Sequence, residues 1–138
     1  MSEVTRDLYG FLHPEITPEK EVLVSPRFKT KDGKPMAFVI RPLTQEICDV
    51  IQKGCIKTDK KGNSIFDRVK YVSETTAAAV VFPDLKNADL QKVYGVIGEA
   101  SLLRKMLYAN EYSLLTDAVQ ELAGVADFAE LEEEVKNG

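Results

Sequence analysis

The segment 66–96 constrains the fold more than any other part of the sequence, because it joins a helical pattern to a proline stop. Apolar residues recur at helical spacing through an uninterrupted apolar run at 77–82. Pro83 has no backbone N–H and cannot continue a helix, so this helix should end at or just before the preceding residue. Asn63 or Ser64 is its expected N-cap. The apolar run is expected to anchor the core.

Capping residues indicate where the other helices begin and end. Thr44 is a good N-cap for a short helix that Gly54 closes. Asn87 is expected to cap a helix that follows the proline stop. Asn110 is the predicted N-cap of a helix over 111–123, which has apolar residues at helical spacing and a glycine at its end. The chain after residue 44 should therefore be mainly helical.

The region before these helices has the pattern of a β-hairpin. Two β-prone runs, 21–28 and 36–41, flank the dipeptide Asp32-Gly33. Asp-Gly is a strong turn signal, because glycine tolerates the positive φ that a tight hairpin needs. We therefore expect an N-terminal hairpin over 21–41.

These patterns together predict an α+β fold, a predominantly helical single domain with an N-terminal β-hairpin. The domain should span 1–138, with an irregular N-terminal arm at 1–20 where prolines disfavour regular structure. The hairpin at 21–41 should precede a helical region at 44–136. Within that region the polar, basic and glycine-containing stretch 57–64 is expected to be an exposed, mobile loop.

Composition is that of a soluble protein with one core. The chain has 138 residues, of which 44% are hydrophobic and 29% charged. Its longest apolar run is far too short to span a bilayer, and the N-terminus lacks a signal pattern, so a cytoplasmic location is expected. The two cysteines, Cys48 and Cys55, would lie too far apart on a helix to form a disulfide and are expected to be reduced.

No motif in the sequence points to catalysis, to a cofactor or to a metal. The single histidine, His13, precedes a proline in the N-terminal arm. The sequence therefore lacks both the cluster of ligands that a zinc site needs and the local motif that a catalytic triad needs. Phosphate-binding glycine loops are absent from the sequence. The acidic run 130–134 has the pattern of a solvated helix face. We therefore expect no catalytic, cofactor-binding or metal-binding residues and no enzymatic activity.

Charge is unevenly distributed along the chain. Residues 1–70 carry 13 Lys/Arg against 10 Asp/Glu, whereas residues 71–138 carry 5 against 12. The basic residues of the hairpin could bind a phosphate backbone, which leaves a nucleic-acid-binding regulator as one alternative. The acidic pI of about 5.1 argues against nucleic-acid binding. The lysines of the hairpin also have a structural explanation, because lysines protect an edge strand from pairing with other chains.

Three segments resemble a known family. They are KPMAFVIRPLTQEICDVIQKGC at 34–55, FDRVKYVSETTAAAVVFPDLKNADLQKVYGV at 66–96, and LLRKMLYANEYSLLTDAVQELAG at 102–124. In these segments, and in the order of its elements, the chain resembles the XkdN-like phage tail assembly chaperones. The segments are signatures of fold and lineage rather than of catalysis.

The resemblance implies a small cytoplasmic protein used in building long phage tails. Such a chaperone binds the tape measure protein, whose long helical chain would otherwise aggregate before the tail tube assembles around it. Other tail proteins are possible partners, whereas a small-molecule substrate, a cofactor and a membrane are not implied. The family offers no catalytic residues to carry over. A small structural tail or connector protein of the virion is the alternative.

A chaperone needs accessible apolar surface to cover the hydrophobic stripes of a helical partner. We expect it on the last two helices, the second of which has a capping-box variant formed by Asp127 and Glu130. Its glutamates should favour basic, amphipathic partner segments. The alternative, that the apolar members close the protein's own core, stays open. The candidate partner-binding residues are Tyr112, Leu115, Val119, Phe128, Leu131, Glu132 and Glu133.

Overall fold

The structure, a computed structural model, describes residues 6–122. Within this range the chain forms six helices and five short strands, and the predicted α+β class is confirmed. In chain order the elements are α1 Tyr9–Leu12, β1 Lys20–Val22, β2 Phe38–Ile40, α2 Gln45–Gly54, β3 Ile56–Thr58, β4 Ser64–Phe66, α3 Arg68–Ala79, β5 Val80–Phe82, α4 Ala88–Tyr94, α5 Glu99–Met106 and α6 Ala109–Leu122.

The N-terminal hairpin forms as predicted, although its regular strands are shorter than the β-prone runs. β1 pairs with β2 in antiparallel register, with Val22 opposite Phe38. Nearer the turn, an isolated bridge joins Lys29 to Pro35. Gly33 has a φ of 84°. This positive φ is the conformation that the Asp-Gly turn was expected to need, and glycine adopts it without strain.

β2 also pairs with β5, which gives a three-stranded sheet of order β1-β2-β5. This corrects the expectation that the central helix continues to the proline, because α3 ends at Ala79 and Val80–Phe82 is a strand. The last carbonyls of α3 accept hydrogen bonds from Arg41, whose backbone N donates to Ala79 and whose Nη2 donates to Ala78. Two valines and a phenylalanine prefer a pleated strand, and the free edge of β2 supplies its partner.

The predicted loop at 57–64 belongs instead to a second hairpin, β3–β4, in which Ile56 pairs with Phe66. Its turn is closed by the Asp59 carboxylate, which accepts hydrogen bonds from the backbone N of Lys61 and Asn63 at 2.9 and 2.8 Å. The expected N-caps Asn63 and Ser64 are therefore wrong. Asp67 caps α3, accepting from the backbone N of Lys70 at 3.1 Å.

Two of the other predicted caps are confirmed and one is wrong. The side chains of Thr44 and Asn87 accept from the third backbone N–H that follows each of them. Asn110 lies inside α6, which begins at Ala109. The carboxylate of Glu111 instead accepts from the backbone N of Tyr108, just before the helix.

The core lies where α3, α5 and α6 pack against the three-stranded sheet. Ile40, Leu102, Leu103 and Leu115 are its largest fully buried apolar side chains. Ala77 from α3 joins the same cluster, so the first part of the apolar run 77–82 does anchor the core. None of the helices within 6–122 is long and apolar enough to cross a membrane.

Candidate functional site

The described part of the chain holds no group of three or more His, Cys, Asp or Glu side chains that could bind a metal ion. Cys48 and Cys55 are both free thiols, and burial raises the pKa of the Cys55 thiol. Between residues 6 and 122, every buried side-chain nitrogen or oxygen has a hydrogen-bond partner.

The most buried charged group is Glu111, at the start of α6. Arg27, from the chain between the first two strands, donates from Nη2 to its Oε1 at 2.6 Å and from Nε to its Oε2 at 3.0 Å. Arg27 Nη2 also donates to the Met106 carbonyl oxygen, and its guanidinium lies 4.2 Å from the Tyr108 ring centre. The bond from Arg27 lowers the pKa of Glu111 to about 2. These groups satisfy one another, so the pair joins the hairpin region to α6 and is not open to a ligand.

A second polar network holds Tyr112, one of the predicted partner-binding residues. Its hydroxyl lies 3.1 Å from Ser73 Oγ of α3, which also accepts from Arg104 Nη1 of α5 at 3.0 Å. Tyr112 thus links three helices, and its ring is only partly exposed. Its hydrogen bond is already made within the fold.

The other predicted partner-binding residues fall into three groups. Leu115 is fully buried in the core, so its expected contact with a partner is corrected: it lies on the face of α6 that turns inward. Val119 is partly buried against the same core and keeps some exposed surface. The remaining four, Phe128, Leu131, Glu132 and Glu133, lie outside the described residues.

A clearer candidate is an apolar cleft between the three-stranded sheet and α4, with a volume of about 140 Å³. Phe28 and Phe38 meet edge to face at 5.8 Å and form one wall. Phe82 and Pro83 also line the cleft. We call this site the apolar cleft; it is lined by Phe28, Met36, Ala37, Phe38, Phe82, Pro83, Leu90, Tyr94 and Met106.

The apolar cleft continues into an open depression along α4. The depression shares Phe82, Pro83 and Leu90 with the cleft and extends to Val93, which is largely exposed. Asp84 and Asp89 also line it, so the depression carries two carboxylates beside its apolar residues. Cleft and depression together offer a continuous apolar surface long enough for more than one side chain.

Sequence patterns could not identify the apolar cleft, because its walls come from separate parts of the chain. Phe28 lies near the first hairpin, Phe82 lies on β5 and Leu90 lies on α4. The one sequence pattern that could have located part of the cleft is the strand-prone run before Pro83, because it would have placed Phe82 on the edge strand of the sheet. The cap at Asn87 then sets the start of α4 directly beyond it.

Comparison with known proteins identifies the lineage. The chain is 28% identical to the phage-like element PBSX protein XkdN of Bacillus subtilis (strain 168), an alignment that covers 99% of this chain and 100% of that protein. It is 26% identical to YqbN of the same strain over 86% of this chain and 84% of that protein. The crystal structure of YqbN has the same fold, with a TM-score of 0.74, 21% sequence identity, and coverage of 88% of this chain and 98% of that one.

The family assignment comes from a sequence model that spans nearly the whole chain. The model of the phage XkdN-like tail assembly chaperone protein matches residues 8–136, which include the apolar cleft and the second hairpin. The predicted resemblance is confirmed. The chain therefore belongs to the family of XkdN-like phage tail assembly chaperones.

Proposed function

We propose that this tail assembly chaperone binds the tape measure protein during tail morphogenesis, in the cytoplasm of the host cell and without catalysis. The observation that carries the proposal is the apolar cleft with its open depression. A helical client exposes apolar stripes before its own assembly partners arrive. Covering such a stripe requires an accessible apolar surface of this kind.

The size of the cleft fits one large side chain at a time. Its volume of about 140 Å³ is close to the roughly 150 Å³ of an apolar cavity that takes up a benzene-sized ligand. A client helix presents apolar residues at i, i+3 or i+4 along one face. One such side chain would fill the cleft while the next lies in the depression beside Val93.

Charge at the depression selects the kind of client helix. Asp84 and Asp89 line it together with the apolar side chains of Leu90 and Val93. A client segment with lysines or arginines beside its apolar stripe complements this arrangement. The glutamates Glu132 and Glu133, which we predict from the sequence to contact the client, would favour the same basic, amphipathic class of segment.

The test is co-expression with the tape measure protein, comparing the soluble fraction of that protein with and without the chaperone. Phe82→Ser removes a ring that is 45% exposed at the mouth of the cleft. Loss of its burial against a client is worth about 1–2 kcal/mol, equivalent to a roughly tenfold weaker complex. Phe66→Ser is the matched control, because Phe66 is also 45% exposed but lies on the second hairpin.

Thermal melting of each variant establishes that both remain folded. The proposal requires the tape measure protein to become soluble with the wild type and the Phe66→Ser variant, and less so with Phe82→Ser. Equal solubility in all cases, with or without the chaperone, contradicts it. Recovery of the chain from purified particles would instead favour a structural tail or connector component.

The C-terminal segment is proposed as a second contact with the same client, through Phe128, Leu131 and the two glutamates. Truncation after Gly124 removes these residues and leaves every described element in place. Weaker client binding by the truncated chain is expected. Undiminished binding would restrict the client-binding surface to the apolar cleft and the exposed parts of Tyr112 and Val119.

A further inference from the structure

The second hairpin forms an exposed surface that the proposed client contact does not use. We call it the β3–β4 surface; it shares no residue with the apolar cleft. It comprises the two strands, their turn and the first turn of α3, and its exposed apolar and basic members are Ile56, Lys57, Lys60, Lys61, Ile65, Phe66, Arg68, Val69 and Lys70.

Large apolar side chains on this surface are left open to solvent. None of the six strand residues of β3 and β4 is buried. Ile56 and Phe66 are directly opposite each other, so their side chains lie on one face of the hairpin and form a continuous apolar pair. A two-stranded hairpin that buries none of its strand residues adds little to the core, since such hairpins are marginal by themselves.

The β3–β4 surface is nevertheless held in a defined position. The backbone N of Asp67 donates to the Cys55 carbonyl oxygen at 2.8 Å, where the hairpin meets the helices. The Phe66 ring lies 5.5 Å from the Tyr71 ring of α3. Lys70 Nζ donates to the Gly54 carbonyl oxygen at 3.0 Å. The exposed apolar pair is therefore presented on an ordered support.

The β3–β4 surface lies in one of two basic regions of the molecule, the other being residues 27–41, which hold five Lys/Arg against one Asp. Residues 53–70 hold six Lys/Arg and two Asp, a net charge of +4 in a chain whose net charge is −4. Both aspartates are engaged internally: Asp59 closes the turn, and Asp67 caps α3 and lies 3.5 Å from Lys57 Nζ. Lys60 and Lys61 form no ion pair within residues 6–122 and project a positive field from the turn.

We propose that the β3–β4 surface binds an acidic amphipathic segment of a partner polypeptide. Its apolar residues would cover the Ile56–Phe66 pair, and its carboxylates would face Lys60 and Lys61 at the turn. The strand rise places the pair and the turn roughly 10 Å apart, about two turns of a partner helix. The cleft, with Asp84 and Asp89 beside it, calls for a segment of the opposite charge.

A polypeptide fits this surface better than a nucleic acid does. Lysines at the turn would attract phosphates, but base stacking needs aromatic platforms. Of the exposed apolar side chains here, Ile56, Ile65 and Val69 are aliphatic, and the Phe66 ring is already packed against Tyr71. Ile65 pairs with Lys57 and therefore lies on the other face of the hairpin from Ile56 and Phe66. The Ile56–Phe66 pair, with lysines at the adjoining turn, matches the apolar stripe and flanking carboxylates of an amphipathic segment.

The test uses a fluorescein-labelled peptide of about 18 residues, with leucines at helical spacing and glutamates elsewhere. Binding to the full chain is followed by fluorescence anisotropy. The K60E/K61E variant should raise the dissociation constant at least about tenfold. The control K31E/K34E makes the same charge change on the turn of the first hairpin, where both lysines are exposed. It should change the dissociation constant less than about twofold.

Phe66→Ser tests the apolar part of the contact and should also weaken binding, whereas Phe82→Ser should not. A peptide with serine in place of leucine should bind poorly. The proposal is overturned if both double variants behave alike, or if the serine peptide binds as well. It is also overturned if single-stranded DNA of equal charge competes fully, or if K60E/K61E alone changes the sedimentation coefficient, which would assign the surface to a second copy.

The experiment contains no tape measure protein, so its outcome is independent of the proposed client contact. Thermal melting of every variant shows whether the fold is retained. Since K60E/K61E changes only exposed turn residues, it keeps the proposal testable even if Phe66→Ser destabilises the hairpin.

Discussion

The two hairpins of this chain have similar turn sequences, but one is packed into the core and the other is exposed to solvent. Each has a lysine-rich turn in which a glycine adopts positive φ, Gly33 in the first and Gly62 in the second. The first hairpin places Ile40 in the core at 0% exposure, whereas the second leaves Ile65 52% exposed. A hairpin therefore supports a fold only through what packs against it, and the second hairpin, which buries none of its strand residues, leaves its apolar side chains exposed.

Their attachments to the rest of the molecule differ in the same way. The first hairpin region is joined by the Arg27–Glu111 pair to a helix 84 residues later in the chain. The second is held by neighbours close in sequence, through the Asp67 cap and the Phe66–Tyr71 contact. Long-range attachments fix the fold, so perturbing them should cost more stability than perturbing local ones.

The largest expected effect comes from the same substitution made in both hairpins. Ile40→Ala should lower the free energy of unfolding by about 2–5 kcal/mol, because it leaves a cavity in the core. Ile65→Ala should lower it by less than about 1 kcal/mol. Urea denaturation of both variants measures the difference, and equal losses would show that both hairpins support the core.

The next effect concerns the Arg27–Glu111 pair. Glu111→Gln should lower the melting temperature at pH 7 by more than about 5 °C, because Arg27 loses its charged partner. Glu121→Gln, at an exposed position of the same helix, is the control and should change the melting temperature little.

The same pair predicts a pH dependence. The pKa of Glu111 is lowered in the folded protein to about 2, so folding favours its ionised form. Its contribution is present above the ordinary carboxyl pKa of about 4.5 and is lost as the pH falls from about 5 towards 2. The melting temperature of Glu111→Gln should fall less steeply over this range than that of the wild type. Parallel curves would show that the pair does not contribute.

A smaller effect on stability is expected from shortening the second hairpin. Replacing 57–65 with Asn-Gly joins the paired residues Ile56 and Phe66 through a two-residue turn. The melting temperature should change by less than about 5 °C, because the removed strand residues are exposed. Binding of the acidic peptide should be lost. A large fall in melting temperature would mean that the hairpin stabilises the fold rather than presenting a surface.

Sequence patterns predicted the features that depend on neighbouring residues. The caps at Thr44 and Asn87 and the turn at Gly33 were found because each is decided within about four residues. The helical region and the α+β class follow from such local signals. The family resemblance added the lineage, which no single motif in the chain could supply.

Features that depend on distant contacts were missed. Val80–Phe82 became a strand because β2 offers a free edge about 40 residues earlier, which no local pattern shows. Leu115 looked available on an amphipathic helix, but its face of α6 is the one that packs inward. The apolar cleft, the best candidate for a client, forms only when four separate parts of the chain meet: the first hairpin, the end of β5, α4 and α5.

The central claim is that this chaperone binds its client at the apolar cleft, and co-expression with the tape measure protein tests it most directly. The soluble fraction of the tape measure protein should rise with the wild-type chain and with Phe66→Ser, and should rise less with Phe82→Ser. An equal rise with both variants, or no rise with the wild type, would contradict the claim.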